Sequence, residues 1–238
     1  MLAEAPAPQE KSKRARSAKD KEQKRELILT TAAQLFDLDP DLLPTAAAIA
    51  NHSGIAKGTV YLYFKSKEEI FLALLEQHYK NWYADITGAI TEDKPDADHI
   101  IQALCHYVEQ QPQFFRLASL SHSVIEQNVD KDILIAFKNR MAQMVQVTGQ
   151  ELAKKLEIED DETCSQLLVR SYAMLLGLWQ ISTPPEKLAE ILSSPNLTVL
   201  QPEFSMEAKQ SLAQLWVGYL EQNTSKGGGF WKLGKLFN

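Results

Sequence analysis

Apolar residues recur every three or four positions along most of the chain, and the strict alternation of a half-buried strand is not seen. This pattern predicts an all-α protein. The first helix should run from about Asp20 to Leu38, with Pro40 stopping it. The other predicted helices are 46–52, 56–63, 67–90, 97–110, 112–127, 131–156, 162–182 and 206–222, with a possible short helix at 186–192.

Capping residues mark several of the predicted helix ends. Thr45 suits the N-cap of the helix at 46–52, and Gly54 suits the turn that closes it. Ser66 and Glu69 have the spacing of a capping box, in which the hydroxyl accepts from the Glu69 amide and the carboxylate from the Ser66 amide. Ser205 is the predicted N-cap of the last helix.

These signals divide the chain into four parts. We expect a disordered basic arm at 1–19, a three-helix unit at 20–66, a larger helical unit at 67–222 and a flexible tail at 223–238. The tail has three glycines followed by apolar residues and lysines. We expect it to fold back onto its own domain, with contact to a membrane or a partner as the alternative.

Charge is unevenly distributed along the chain. The net charge is −6, yet residues 1–80 contain 12 Lys or Arg and 11 Asp or Glu, and residues 81–238 contain 13 and 20. Within Lys11 to Arg25 there are eight basic and two acidic residues. A nucleic acid responds to local charge, so the acidic total does not exclude it as a partner.

Other classes of protein find little support in the sequence. No apolar run approaches the roughly 18 residues of a membrane span, and the N-terminus lacks the apolar core of a secretory signal, which favours a cytoplasmic protein. Cys105 and Cys164 lack the spacing of a zinc site. No hydrolase, phosphate-loop, dinucleotide or zincin motif is present, so we expect no enzyme activity, metal or cofactor.

The short helices on either side of Gly54 have the layout of a helix-turn-helix, whose second helix enters the major groove of DNA. Five apolar residues should seal the two helices together: Ile49, Ala50, Ile55, Val60 and Phe64. The second helix would then present polar and small residues outward: Lys57, Gly58, Thr59, Tyr61 and Tyr63.

At these residues the chain resembles the TetR family of bacterial transcriptional regulators. The matching stretches are Ile49-Ala50, then Ser53-Gly54-Ile55-Ala56-Lys57-Gly58-Thr59-Val60-Tyr61, then Phe64-Lys65-Ser66-Lys67-Glu68-Glu69-Ile70, with Ala32-Ala33 and Leu35-Phe36 in the preceding helix. The remainder resembles the family only as an all-helical ligand and dimer domain. The resemblance implies a sequence-specific regulator, and family frequency favours a repressor released from its operator by a small molecule.

The resemblance also implies which residues touch double-stranded operator DNA. Lys57, Thr59 and Tyr63 would reach base edges or nearby backbone, with Gly58 permitting close approach. Contacts to phosphate would come from a further set: Thr45, Tyr61 and Lys67, with Lys65 as an additional candidate.

Two features depart from the family pattern. Pro40 stands where a glycine is usual, and Ala46-Ala47-Ala48 replaces a more polar stretch, so the first short helix offers few phosphate donors. We expect the basic arm, Lys11 to Arg25, to restore part of the attraction along the backbone or in a minor groove.

The larger unit should supply a homodimer interface and an effector pocket, as in the family. The predicted interface residues are Leu168, Tyr172, Leu175, Trp179, Leu212, Leu215, Trp216 and Tyr219, with burial in their own chain as the alternative. The predicted pocket, for an apolar or aromatic molecule, is Trp82, Phe114, Phe115, His122, Met141, Met144 and Tyr172. A rival hypothesis is that the same DNA-binding domain serves to organise the chromosome.

Overall fold

The computed structural model describes residues 8–39, 42–90, 95–158 and 161–224, and every regular element among them is helical. The all-α prediction is confirmed. The α-helices are α1 Pro8–Leu38, α2 Ala46–Ser53, α3 Lys57–Tyr63, α4 Lys67–Ala89, α5 Ala97–Gln110, α6 Pro112–Ser119, α7 Lys131–Leu156, α8 Asp161–Ser182, α9 Glu186–Leu192 and α10 Phe204–Thr224. A π-turn at Ser121–Ile125 and 3₁₀ turns at Glu126–Asn128 and Thr198–Leu200 complete the set.

The first helix is longer than predicted. It begins at Pro8, so residues 8–19, which we expected to be disordered, are helical. Proline is tolerated in the first helical turn, and the Lys, Arg, Gln, Glu and Ala residues that follow are strong helix formers. The apolar pattern does not reveal this part because its helix has no apolar face. The predicted tail lies outside the described residues from residue 225 onward.

The predicted helix at 112–127 is interrupted. The α6 helix ends at Ser119, whose hydroxyl donates to the carbonyl of Arg116 at 2.7 Å. The buried Ser121 hydroxyl then donates to the Glu126 carboxylate at 2.6 Å within the π-turn. Serine side chains that bond locally offer the chain an alternative to a regular helix.

The last helix is capped by a different residue from the one predicted. The Glu203 carboxylate accepts from the backbone N–H groups of Ser205 and Met206, at 3.1 and 2.7 Å. The Ser205 hydroxyl donates instead to Glu109 of α5 at 2.6 Å. The acidic cap thus starts α10 at Phe204, two residues earlier than a Ser205 cap would, and frees Ser205 for a contact between helices.

The described residues form two compact units, 8–78 with 116–137 and 79–115 with 138–224. In the first unit α1 packs against α2, and α2 against α3. Its core comes largely from α1 and α4, where the rings of Phe36 and Phe71 lie 5.7 Å apart. The predicted domain boundaries at 20, 67 and 223 stay predictions.

The second unit is organised around buried aromatic side chains. The α10 helix packs against α5 and α8, and the Trp216 indole N–H donates to the buried Ser171 hydroxyl at 3.0 Å. The Trp82 indole N–H donates to the carbonyl of Leu104 at 3.0 Å. Both indoles thus satisfy their single donor while their rings remain fully buried.

His78 should make the stability of the protein depend on pH. Burial lowers its pKa from 6.5 to about 4. Above pH 6.5 the imidazole is neutral in both states; as the pH falls toward 4 the unfolded chain binds the proton first. The free energy of unfolding should therefore drop by about 2 kcal/mol over that range because of this group. His78→Gln should remove that part of the slope in denaturant titrations, and parallel curves for the two proteins would contradict the assignment.

Candidate nucleic-acid interface

The turn between α2 and α3 has the predicted helix-turn-helix geometry. The Thr45 hydroxyl accepts from the Ala48 N–H at 3.1 Å, which confirms this N-cap. Gly54 closes α2 in the left-handed region, with φ of 67°, and the Ile55 N–H donates to the carbonyl of Ala50 at 3.1 Å. The turn therefore fixes the start of α3 relative to α2 through backbone bonds.

Gly54 should be sensitive to substitution for a backbone reason alone. A Cβ at this position would meet no atom within 4 Å, yet its positive φ is unfavourable for an L side chain. We expect Gly54→Ala to lower the free energy of unfolding by about 1 kcal/mol. Gly58→Ala is the matched control, because Gly58 also has open space but lies within α3. It should leave stability unchanged or raise it slightly in thermal denaturation, and equal losses in the two variants would refute the argument.

The α3 helix separates a buried side from an outward side. Val60 and the following Phe64 are buried, as predicted. Five of the predicted DNA contacts are exposed: Thr45 at the N-cap of α2, Lys57, Gly58, Tyr61 and Lys65. The other three, Thr59, Tyr63 and Lys67, are half-buried. Three of the α3 candidates, Lys57, Gly58 and Tyr61, are thus accessible, and Thr59 and Tyr63 are partly covered.

Two cation–π contacts organise the edges of this surface. The Lys57 ammonium lies 5.8 Å from the centroid of the Tyr61 ring, which places these two candidates side by side. The Arg25 guanidinium of α1 lies 5.4 Å from the centroid of Phe64. Such contacts hold a cation in place without neutralising it. Arg25 thus joins the basic residues near α3.

Leu62 is a surface residue that sequence reasoning missed. It is 81% exposed on α3, against 46% for Tyr61. An apolar side chain in this position can contact the methyl group of thymine in a major groove. The signal available in the sequence was its place between Tyr61 and Tyr63, on the side of the helix away from Val60.

The start of α4 is capped somewhat differently from the prediction. The Ser66 hydroxyl accepts from the Glu69 N–H at 3.2 Å, as predicted. The Glu69 carboxylate, however, accepts from the Lys65 N–H at 2.8 Å, and the predicted bond to the Ser66 amide is replaced by this one. The carboxylate therefore fixes the backbone of the α3–α4 connection, with Lys65 exposed on it.

The predicted pocket residues fall into three environments. Trp82, Phe114, Phe115 and Tyr172 lie in one aromatic cluster, with neighbouring centroids 5.0 to 6.2 Å apart. The Tyr172 hydroxyl is hydrogen-bonded to that of Tyr79. Met141 and Met144 are half-buried on α7, and the exposed His122 belongs to the first unit, beside Glu126 at 3.2 Å. A shared role in binding an effector stays a prediction.

Two cavities lie in the second unit. The larger, about 560 Å³, is bordered by α4, α5 and α10. It carries a hydrogen bond between His106 and Asp85 at 2.8 Å and an ion pair between Lys209 and Glu109 at 2.9 Å. The hydrogen bond from Lys209 to Glu109 raises the pKa of the lysine. The smaller cavity, about 320 Å³, lies between α4 and α7 and is lined in part by Met144. None of the other predicted pocket residues lines either of these two cavities.

The predicted interface residues divide by burial. Leu168, Leu175, Leu212 and Trp216 are fully buried within their own chain, which was the alternative considered for them. Tyr172, Trp179, Leu215 and Tyr219 are half-buried. The exposed side of α8 instead carries a stripe at four-residue spacing: Val169, Ala173, Gly177 and Ile181.

Cysteine and metal chemistry have little support among the described residues. Cys105 and Cys164 are buried free thiols, and burial raises the pKa of Cys105 to about 12, which keeps it protonated at neutral pH. No group of three His, Cys, Asp or Glu in the described part of the chain could hold a metal ion. None of the helices within the described ranges has both the length and the apolar character needed to cross a bilayer.

Two short helices joined by a left-handed glycine, the second with an exposed polar surface, define a helix-turn-helix domain, here followed by a larger helical unit. Two family models match the chain in this order. Bacterial regulatory proteins, tetR family, matches residues 28–74, and Tetracyclin repressor-like, C-terminal domain, matches residues 76–223. The chain belongs to the TetR family.

Individual relatives are distant. The chain is 28% identical over 91 residues to the HTH-type transcriptional activator FasR of Mycolicibacterium smegmatis, and 27% identical over 100 residues to the nucleoid occlusion factor SlmA of Marinomonas sp.. These matches cover 37% and 41% of this chain and 42% and 51% of the relatives. A possible TetR family transcriptional regulator from Streptomyces coelicolor A3(2) has a TM-score of 0.55 at 18% identity, covering 83% of this chain and 99% of that one, and shows the fold alone.

Proposed function

We propose that this protein is a transcriptional regulator that binds double-stranded operator DNA as a homodimer, acting as a repressor that a small-molecule effector releases. The observation that carries the proposal is the accessible surface of α3, where Lys57 and Tyr61 lie side by side beside Gly58. A helix with this surface can enter a major groove, while Val60 and Phe64 anchor it to its own domain.

Each residue of the surface has a proposed task. Lys57, Thr59 and Tyr63 contact base edges or adjacent backbone, and Tyr61 donates its hydroxyl to a phosphate. Thr45, Lys65 and Lys67 contact phosphates on either side of α3. Thr45 precedes α3 in sequence and Lys65 and Lys67 follow it, so these three contacts would fix the position of the recognition helix along the duplex.

The homodimer is proposed because one recognition helix reads only a few base pairs, and two copies held a helical turn apart multiply the specificity. The exposed α8 stripe supports it, since small residues at 173 and 177 permit close approach of a second helix. The half-buried Leu215 and Tyr219 of α10 remain candidates at the rim. Gly177→Arg should convert the dimer to a monomer in light scattering, whereas Gly88→Arg on α4 should not.

The effector is proposed to be an apolar or aromatic molecule bound in the second unit. Support comes from the aromatic cluster around Tyr172, where a hydrogen-bonded pair of hydroxyls gives an apolar site one polar group. Release would require the effector to bind one conformation of the protein more tightly than the other. Aromatic ligands that raise the melting temperature should then also dissociate the DNA complex.

The decisive experiment uses a promoter fragment from the genomic neighbourhood of the protein. Purified protein should shift this fragment and protect a two-fold symmetric site from cleavage, and a scrambled fragment of equal length should bind far more weakly. A reporter under this promoter then separates repression from the activation that the name of FasR records for that relative. Failure to distinguish the two fragments would refute the proposal.

A second candidate role is organisation of the chromosome through the same DNA contacts. It is favoured by the match to a nucleoid occlusion factor, although that match covers 41% of this chain. Genome-wide occupancy distinguishes the two roles. A few promoter sites support transcriptional regulation, and many dispersed sites support organisation.

The basic N-terminal segment should strengthen binding without specifying sequence. Deleting residues 1–18 removes Lys11, Lys13, Arg14 and Arg16 and should reduce the slope of log affinity against log salt by roughly 0.9 for each phosphate that these side chains neutralise. Deleting residues 1–9, which contain no Lys or Arg, is the matched control. Unchanged affinity and slope in the longer deletion would reject a role for the segment.

A further inference from the structure

The burial of Val60 fixes which side of α3 points away from the protein. Val60 is fully buried, so its side of the helix faces the core of its own domain. Successive residues of an α-helix lie about 100° apart around the axis. Leu62 and Gly58, each two positions from Val60, therefore lie nearly opposite the buried side, and they are neighbours because they are four positions apart. Gly58 and Leu62 together form the outer face of α3.

The other exposed and half-buried residues of α3 lie on either side of this outer face. Lys57 and Tyr61 are on one side, with the ammonium 5.8 Å from the ring centroid. Thr59 and Tyr63 are on the other side and are half-buried. Leu62 is 81% exposed, more than any of the three aromatic or polar side chains for which the helix offers partial cover. In a major groove the outer face would reach deepest toward the bases.

Gly58 leaves the space beside Leu62 open. A Cβ at residue 58 would meet no atom within 4 Å, the side chain of Leu62 included. The leucine side chain therefore does not lie against the preceding turn of its own helix. A base edge can approach both the leucine and the bare backbone at Gly58.

An apolar side chain on the outer face favours one feature of the major groove. Base edges present hydrogen-bond donors and acceptors there, and the 5-methyl group of thymine is the apolar exception. Leu62 has no donor or acceptor, so placing it against a polar edge would displace water without replacing its hydrogen bonds. Contact with a methyl group instead removes apolar surface of both partners from water.

We propose that Leu62 determines sequence specificity by contacting the 5-methyl group of a thymine at one fixed position in each half of the operator. The inference rests on the proposed binding of operator DNA by a dimer, and it adds the identity of a recognised base. Because the contact recognises the methyl group, 5-methylcytosine at the same position substitutes for thymine in part. Burial of one methyl group changes affinity roughly four-fold, so the two half-sites together contribute about ten-fold or more.

The test removes the methyl group from the DNA and the leucine from the protein. In the protected promoter site, symmetric pairs of thymines are replaced by deoxyuridine, one pair at a time, and affinity is measured by fluorescence anisotropy. One pair should weaken binding of the parent protein by about ten-fold or more, whereas the other pairs should have little effect. Leu62→Ala should bind the thymine operator about as weakly, and should no longer distinguish thymine from deoxyuridine at that pair.

Leu200→Ala is the matched control variant, because Leu200 is an exposed leucine of the second compact unit, outside the helix-turn-helix. It should keep the full effect of deoxyuridine. Cytosine in place of the recognised thymine should weaken binding of the parent, and 5-methylcytosine should recover part of the loss in the parent but not in Leu62→Ala. Both leucines are exposed, so circular dichroism should show an unchanged helix content for both variants.

Two results would overturn this inference while operator binding itself stands. The parent could prefer the promoter fragment to the scrambled one and yet bind every deoxyuridine duplex as tightly as the thymine duplex. Alternatively, Leu62→Ala could keep the discrimination, which would assign the methyl contact to another side chain. Equal binding of the promoter and scrambled fragments would refute the proposed function, and this inference with it.

Discussion

Replacing both Lys57 and Tyr61 by alanine is expected to weaken operator binding by at least about 100-fold, since each subunit of a dimer would lose a charged contact and a hydroxyl contact, each worth about 1 kcal/mol or more. Both side chains are exposed and the Lys57 ammonium lies over the Tyr61 ring, so they act on one surface of α3. Fluorescence anisotropy with labelled operator at fixed salt measures the loss.

Folding should survive this double substitution. Exposed residues away from caps and special backbone conformations change stability by about 0.5 kcal/mol or less. Lys154→Ala, at an exposed lysine of α7, is the control for loss of charge and should leave affinity within about two-fold. Near-normal affinity of the double variant, with its fold intact, would show that another surface holds the DNA.

The largest effect on stability is expected at Gly149, where α7 approaches α8 closely. A Cβ there would lie 2.8 Å from the backbone nitrogen of Ser165 and 3.0 Å from its Cα, and backbone atoms cannot move aside as a flexible side chain can. Gly149→Ala should therefore lower the free energy of unfolding by about 2 kcal/mol or more, despite the better helix propensity of alanine.

Gly88→Ala provides the matched comparison, because a Cβ on this residue of α4 meets nothing within 4 Å. It should stay within about 1 kcal/mol of the parent. For a chain of this size the Gly149 variant should melt about 4–8 °C lower, which scanning calorimetry resolves. Equal melting temperatures for the two variants would mean that α7 and α8 can separate without cost.

The sequence was most informative where local chemistry decides the structure. Thr45, Gly54 and Ser66 act within four residues of their own positions, through a cap, a positive φ and a second cap, and the structure places all three as predicted. The burial of the apolar residues between them, such as Val60, can also be predicted, because a helix of only seven residues turns one side to the core. The helix-turn-helix could therefore be predicted almost completely.

Contacts between distant parts of the chain could not be predicted in this way. Leu168 and Trp216 lie on helices with apolar residues around much of the circumference, so periodicity does not say which side packs within the subunit. The sequence predicts a capping role for Ser205, because its contact with Glu109, 96 residues away, leaves no local sequence signal. The basic part of α1 was missed since propensity, and not an apolar face, makes it helical.

The placement of the tryptophans has a practical consequence for following unfolding. Trp82, Trp179 and Trp216 belong to the second compact unit and Trp231 follows it, whereas residues 8–78 and 116–137 contain none. Intrinsic tryptophan fluorescence therefore does not report directly on the unfolding of the unit that contains α3. A melt recorded by that signal alone would miss independent loss of the recognition helix, which only a probe of total helix content, such as circular dichroism, would reveal.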